Sequence, residues 1–230
     1  MLMSEARCST ALRFAINLGN PVLAFISPSG EPEGISVALA RRIAQALGAE
    51  AQFTTYPTAG AVVAAAQAGE WDIAFLARDP ERAQTLRFTE SYITIQGTIM
   101  VAAGAGAKSV TQMDTQGLTI NVGKGAAYDL WLTRNFSRAV LLRQASSQAA
   151  IDAFLNGEGD AVAGIRQPLE KAARQNAGYR VLEDNFTQIE QAVCVPLGDE
   201  RYFAEIAGLI NQLKESGEAE RIINENMNDG

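Results

Sequence analysis

Positive charge is scarce in this sequence, and it recurs at comparable places. Of 230 residues, 19 are lysine or arginine against 26 aspartate and glutamate, for a net charge of −7. Three segments carry a cation directly after an apolar run. They are Ala77-Arg78-Asp79-Pro80-Glu81-Arg82, Gly123-Lys124-Gly125-Ala126-Ala127 followed by Tyr128, and Gly164-Ile165-Arg166-Gln167-Pro168. In open α/β sheets, ligands bind beyond the carboxyl ends of strands, so the chemistry on offer is anion binding. The planar guanidinium of Arg82 can fork onto a carboxylate, or it can be a surface arginine paired with Glu81 or Glu90. Asp79 as cap and Pro80 at the first position predict a short helix with Arg82 in its first turn, where a cation is electrostatically unwelcome. The glycines around Lys124 either let backbone amides approach an anion or simply make a tight turn. Arg166 either faces the same crevice or is solvated ahead of a helix.

Other chemistries are closed off by composition. Histidine is absent, which removes Ser–His and Cys–His nucleophile pairs, His-ligated zinc and imidazole proton shuttles. Cys8 and Cys194 are far apart, form no C-x-x-C, and are expected to be free thiols. Lys124 is followed by glycine and Lys108 lacks a preceding glycine, so neither belongs to a Walker loop. No G-x-G-x-x-G follows a strand, and no acid pair has a setting that would tune it for proton transfer. No cofactor, metal or catalytic residue is therefore expected. The net negative charge argues against nucleic acid and anionic membranes as partners. Hydrophobic residues at 47% and charged ones at 20% are the balance of a soluble globular protein. The first eight residues carry Glu5 and Arg7 where a signal peptide needs an apolar core, and no apolar stretch is long enough to span a bilayer. The chain is thus expected to be cytoplasmic, or to have lost a signal before this sequence was written.

The elements that must position these segments alternate in β-α order, the pattern of an α/β protein with parallel pairing. Strands are predicted at 12–18, 52–56, 71–77, 118–122, 139–142, 160–165, 179–182 and 191–197. Helices are predicted at 35–47, where Ile35, Leu39, Ile43 and Leu47 fall four apart, and at 59–68 behind a Thr58 cap. Others follow near Ala126 or Ala127, behind Ser146, after Pro168, and at 202–215 and 218–226. Residues 92–103 read as one long extended segment. Trp71 and Trp131 read as core. Two β-α-β-rich halves follow one another, joined by extended segments near 92–98 and 187–196.

Five motifs in order resemble the family 3 solute-binding proteins, the polar amino-acid receptors of ABC importers. They are Gly34-Ile35-Ser36-Val37-Ala38-Leu39-Ala40; Ala68-Gly69-Glu70-Trp71-Asp72-Ile73-Ala74; Pro80-Glu81-Arg82-Ala83 with Phe88-Thr89-Glu90-Ser91-Tyr92; Ile120-Asn121-Val122-Gly123-Lys124-Gly125; and Asn156-Gly157-Glu158-Gly159-Asp160-Ala161-Val162. The resemblance covers about residues 11–226. It implies a two-lobed, venus-flytrap fold of the type II periplasmic-binding-protein kind, each lobe a mixed sheet flanked by helices. Lobe 1 would be residues 1–95 with 192–230, and lobe 2 residues 96–191. Arg82 matches the arginine that clamps the ligand's α-carboxylate, with Ala77, Asn17, Asn20 and Tyr56 expected on the lobe 1 side. The resemblance further implies a non-catalytic monomer that binds a small carboxylate and delivers it to an ABC permease in the periplasm. A cytosolic ligand sensor, or an enzyme like the cyclohexadienyl dehydratases, are the alternatives on this fold.

The departures from the family pattern are specific. Ala126 and Ala127 replace its usual threonine, the loop from Asp72 to Arg82 is short, and Arg78 replaces an apolar or hydroxyl residue. Ile165-Arg166 stands where the family's ammonium-binding aspartate belongs. A buried ammonium without a partner is costly, so the expected ligand is a carboxylate without an amine.

Overall fold

Apolar runs bounded by polar turns become the inner strands, because a parallel strand is covered on both faces. In the computed structural model, which describes residues 11–227, β1 (Ala11–Asn17) heads the chain, and β2 (Phe25–Ile26) and β3 (Pro32–Glu33) make a small hairpin. β4 (Glu50–Tyr56) and β5 (Ile73–Ala77) flank β1 in parallel. The crossovers are α1 (Ile35–Ala46), which buries Ile35, Leu39 and Ile43 along one face, and α2 (Ala59–Gln67). Thr58 caps α2 by accepting a bond from the Ala61 N–H at 3.2 Å, as its position after a strand predicts.

β6 (Leu86–Ala102) then runs the length of the molecule. Beyond it, β7 (Thr119–Gly123), β8 (Val140–Gln144) and β9 (Ala161–Ile165) form a second parallel trio. Their helices are α3 (Ala127–Asn135), α4 (Ser147–Leu155) and α5 (Arg166–Gln175). Ser146 caps α4 by accepting from the Ala149 N–H at 3.0 Å. Pro168 falls in the first turn of α5, where its missing N–H has no helical partner to lose. β10 (Tyr179–Val181) pairs with β6, and β11 (Thr187–Pro196) returns antiparallel to both β6 and β5. One mixed sheet results, in the order β4-β1-β5-β11-β6-β9-β7-β8. Finally α6 (Phe203–Glu215) packs on β6, and α7 (Glu218–Asn226) packs on α1, where Arg42 meets Glu218 at 2.8 Å.

Two elements differ from expectation. The helix predicted from Asp79 and Pro80 is a single 3-10 turn, Arg82–Gln84, because the chain enters β6 two residues later. Asp79 still organises it, accepting from the Glu81 N–H at 2.9 Å, but no helix dipole acts on Arg82. The extended segment expected from residue 92 starts at Leu86. Leu86, Thr89, Tyr92 and Ile95 are buried at intervals of three, not two, which hides this stretch from an alternation reading. Opposite it, β11 shifts register between Gln191 and Ala192 and again between Ala192 and Cys194.

Trp71 lies in the core beneath α2, and Trp131 is half-buried between Phe136 and Phe186. Cys194 is buried and unpaired, and burial pushes its thiol well above the usual range. Cys8 lies outside the described residues.

Candidate functional site

The carboxyl ends of the two parallel trios meet around a cavity at the middle of the sheet. Its open volume is about 490 Å3, counting space continuous with solvent. Asn17, Asn20, Thr58, Ala59, Ala77 and Arg82 line it from the β1–β4–β5 end. Lys124, Ala126, Ala127, Tyr128 and Ile165 line it from the opposite end, and Ile189 and Gln191 of β11 also border it.

Arg82 dominates the electrostatics. It is only 4% exposed, and no carboxylate among the described residues lies within ion-pair distance. Its Nη1 donates to the Ala77 carbonyl at 3.1 Å and its Nη2 to the Gly125 carbonyl at 3.0 Å. Two of five N–H donors are so occupied, which leaves three. Burial pushes the guanidinium's pKa down and Asp79 partly restores it; an arginine nevertheless stays cationic. Asp79 is itself engaged across the cleft, accepting from Arg134 Nη2 at 2.7 Å with its side chain 4% exposed.

The asparagines add donors. Asn17 Oδ1 accepts from the Gly19 N–H at 2.9 Å and Asn20 Oδ1 accepts from the Val22 N–H at 3.2 Å. Their oxygens are therefore held by backbone, and the amide NH2 groups are what they can present. With Lys124 exposed on the other wall, the cavity is rich in donors and cations. Among the described residues that line it there is no aspartate or glutamate.

The glycine turn works differently from an amide cradle. Lys124 N–H donates to the Gln144 carbonyl, Gly125 N–H to Asp129 and Ala126 N–H to the Gly123 carbonyl, so these amides are already satisfied. The need for glycine lies in contact. Gly125 has φ 73°, in the left-handed region, and its carbonyl meets Arg82. A Cβ on Gly123 would sit 2.7 Å from the Ser147 N and 2.8 Å from the Tyr128 hydroxyl. Gly123→Ala should therefore push the start of α4 off the cavity wall, destabilising the protein by about 1–3 kcal/mol. Urea denaturation checks this, and an unchanged midpoint with unchanged slope would show that the turn yields freely.

Three expected site residues stand elsewhere. Tyr56 turns into the core beside Trp71, and its hydroxyl donates to Glu70 at 3.1 Å, because the end of β4 faces α2. Arg78 is exposed and faces Glu190 at 3.6 Å and Glu90 at 4.0 Å, on the outer side of the Asp79 turn. Arg166 reaches back to the 182–185 segment, donating to the carbonyls of Leu182, Glu183 and Asp184, to Asn185 Oδ1 and to Glu170. Long side chains choose partners that are distant in sequence, and both arginines found them outside the cleft. Thr58 and Ser146, legible only as helix caps, line the cavity, and so does Ser147, for which the sequence offers no signal. Ile189 and Gln191 carry no local motif at all.

Two parallel trios facing each other across a donor-lined cavity, linked by two crossing strands, define the type II periplasmic-binding-protein fold. Residues 12–229 match the bacterial extracellular solute-binding proteins, family 3, and the chain belongs to that family. It is similar in fold to a putative binding component of an ABC transporter from Wolinella succinogenes complexed with lysine, at 22% identity and TM-score 0.80, covering 94% of this chain and 95% of that one. It also resembles the ancestral amino-acid-binding protein AncCDT-1, a precursor of cyclohexadienyl dehydratase, at 20% identity and TM-score 0.79, covering 95% and 96%. A histidine kinase sensor domain matches at 18% identity and TM-score 0.81, covering 95% and 96%. No curated protein matches by sequence.

Proposed function

We propose that this solute-binding protein is a non-catalytic receptor for a small amine-free carboxylate, working with an ABC permease in the periplasm. The observation that carries the reading is the charge of the cavity wall. Among the described residues Arg82 is buried without a carboxylate partner, Lys124 stands opposite, and no acid lines the space between. An anion would neutralise that field in a site where water screening is weak. An ammonium would meet Ile165, 9% exposed, at the start of α5. The absence of a lining acid also weighs against a dehydratase, which needs a group to protonate its leaving group.

In this reading residues 1–95 with 192–230 move as one lobe and 96–191 as the other. Arg82 to Gly125 and Asp79 to Arg134 would be contacts made only when the lobes meet, so closure is favoured by an anion that engages Arg82 from between them.

Calorimetry with a panel of 2-oxo, 2-hydroxy and dicarboxylic acids beside the standard amino acids is the test. Amine-free acids should bind and compact the protein in small-angle scattering. Ile165→Asp should reverse the preference, favouring the amino acid over its 2-oxo counterpart by about tenfold or more, the scale of a partly buried ion pair. Sub-micromolar binding of lysine, arginine or glutamine to the unaltered protein would sink the reading.

A further inference from the structure

A second chamber opens beside the Arg82 cavity, with an open volume of about 980 Å3 that includes space continuous with solvent. The two share Gly19, Tyr128, Ser146, Ser147 and Ile165 as walls, so they adjoin. Their chemistry is opposite. Leu18, Pro21 and Pro57 form one side of the chamber, and Ile151, Ala163 and Pro168 form the other. No charged residue among those described lines it.

Its polar side chains already have partners. The Tyr128 hydroxyl donates to Ser147 Oγ at 2.8 Å, Ser146 Oγ accepts from the Ala149 N–H, and Gln148 Nε2 donates to Asp152 at 2.8 Å. The Arg82 cavity differs in holding cations, Arg82 and Lys124, that have no carboxylate partner among the described residues. A charged ligand group placed in the chamber would lose its water and meet no counter-charge among the described residues, whereas hydrocarbon gains by leaving water.

We infer that the ligand is an amphipathic carboxylate, its anion at Arg82 and a hydrocarbon body of several carbons in this chamber. The inference rests on the functional reading above and adds the class of molecule. It excludes the short, doubly charged acids that the cations alone would accept.

The test is calorimetry with straight-chain 2-oxo acids of three to seven carbons, and with 2-oxopentanoate against 2-oxoglutarate, which differ only in a terminal carboxylate. Affinity should rise about fourfold per methylene, the equivalent of about 0.8 kcal/mol for each CH2 buried. 2-Oxopentanoate should bind at least tenfold more tightly than 2-oxoglutarate. Leu18→Asn, on one wall, and Pro168→Ser, on the other, should each flatten the series, with folding checked by circular dichroism. A flat series in the unaltered protein, or tighter binding of 2-oxoglutarate, overturns the chamber assignment while leaving the carboxylate reading intact. Failure of every 2-oxo and 2-hydroxy acid in the series, and of the dicarboxylic acids, to bind overturns both.

Discussion

Arg82→Ala is expected to weaken ligand binding by about 2–5 kcal/mol, a loss of about 30-fold to several thousand-fold in affinity. The size follows from burial. A guanidinium that is 4% exposed makes a desolvated ion pair with a bound carboxylate, and alanine leaves that carboxylate facing the Ala77 and Gly125 carbonyls. Arg82→Lys keeps the charge but not the fork, since an ammonium cannot hold both carbonyls and a bidentate anion in one plane. Its affinity should fall between the two. The ligand-free protein should lose little stability, because an unpartnered buried cation is itself unfavourable. Titration calorimetry on all three proteins decides the matter, and equal affinities would remove Arg82 from the site.

Trp71→Ala is expected to cost about 3–5 kcal/mol of folding stability. The indole is 1% exposed, packed in the cluster with Tyr56, Val62, Ala65 and Leu76, and its Nε1 donates to the Val62 carbonyl at 2.9 Å. Alanine forfeits the buried area, leaves a void under α2 and removes that bond. For a chain of this length the thermal midpoint should fall by about 6–20 °C. Trp71→Phe should lose less, keeping most of the ring volume. A loss below about 1 kcal/mol for alanine would mean that α2 collapses onto β5 without it.

The sequence was most informative where one local rule settled the outcome. Thr58 and Ser146 cap the helices they precede, the fourfold spacing of α1 marks its buried face, and the apolar run 73–77 is an inner strand. It was least informative where partners are remote. Nothing near Arg166 announces that residues 182–185 offer it three carbonyls, and nothing near Arg78 announces Glu190. The 3-10 turn at Arg82 was read as a helix because Asp79 and Pro80 mark a helical start without fixing how far it continues. In β6 the three-residue burial interval belongs to a twisted, irregularly paired ladder, which neither the helical nor the alternating template describes.

Gln191 occupies an unusual place in that ladder. It borders the Arg82 cavity, pairs with Ala77 on β5 and with Ile93 on β6, and sits at the first of the two register shifts in β11. The sheet is continuous through this point, and β6 and β11 are the strands that run between its two ends, with the local ladder disrupted where β11 shifts register. One residue thus belongs both to the cavity wall and to the irregular ladder that joins the two ends of the sheet.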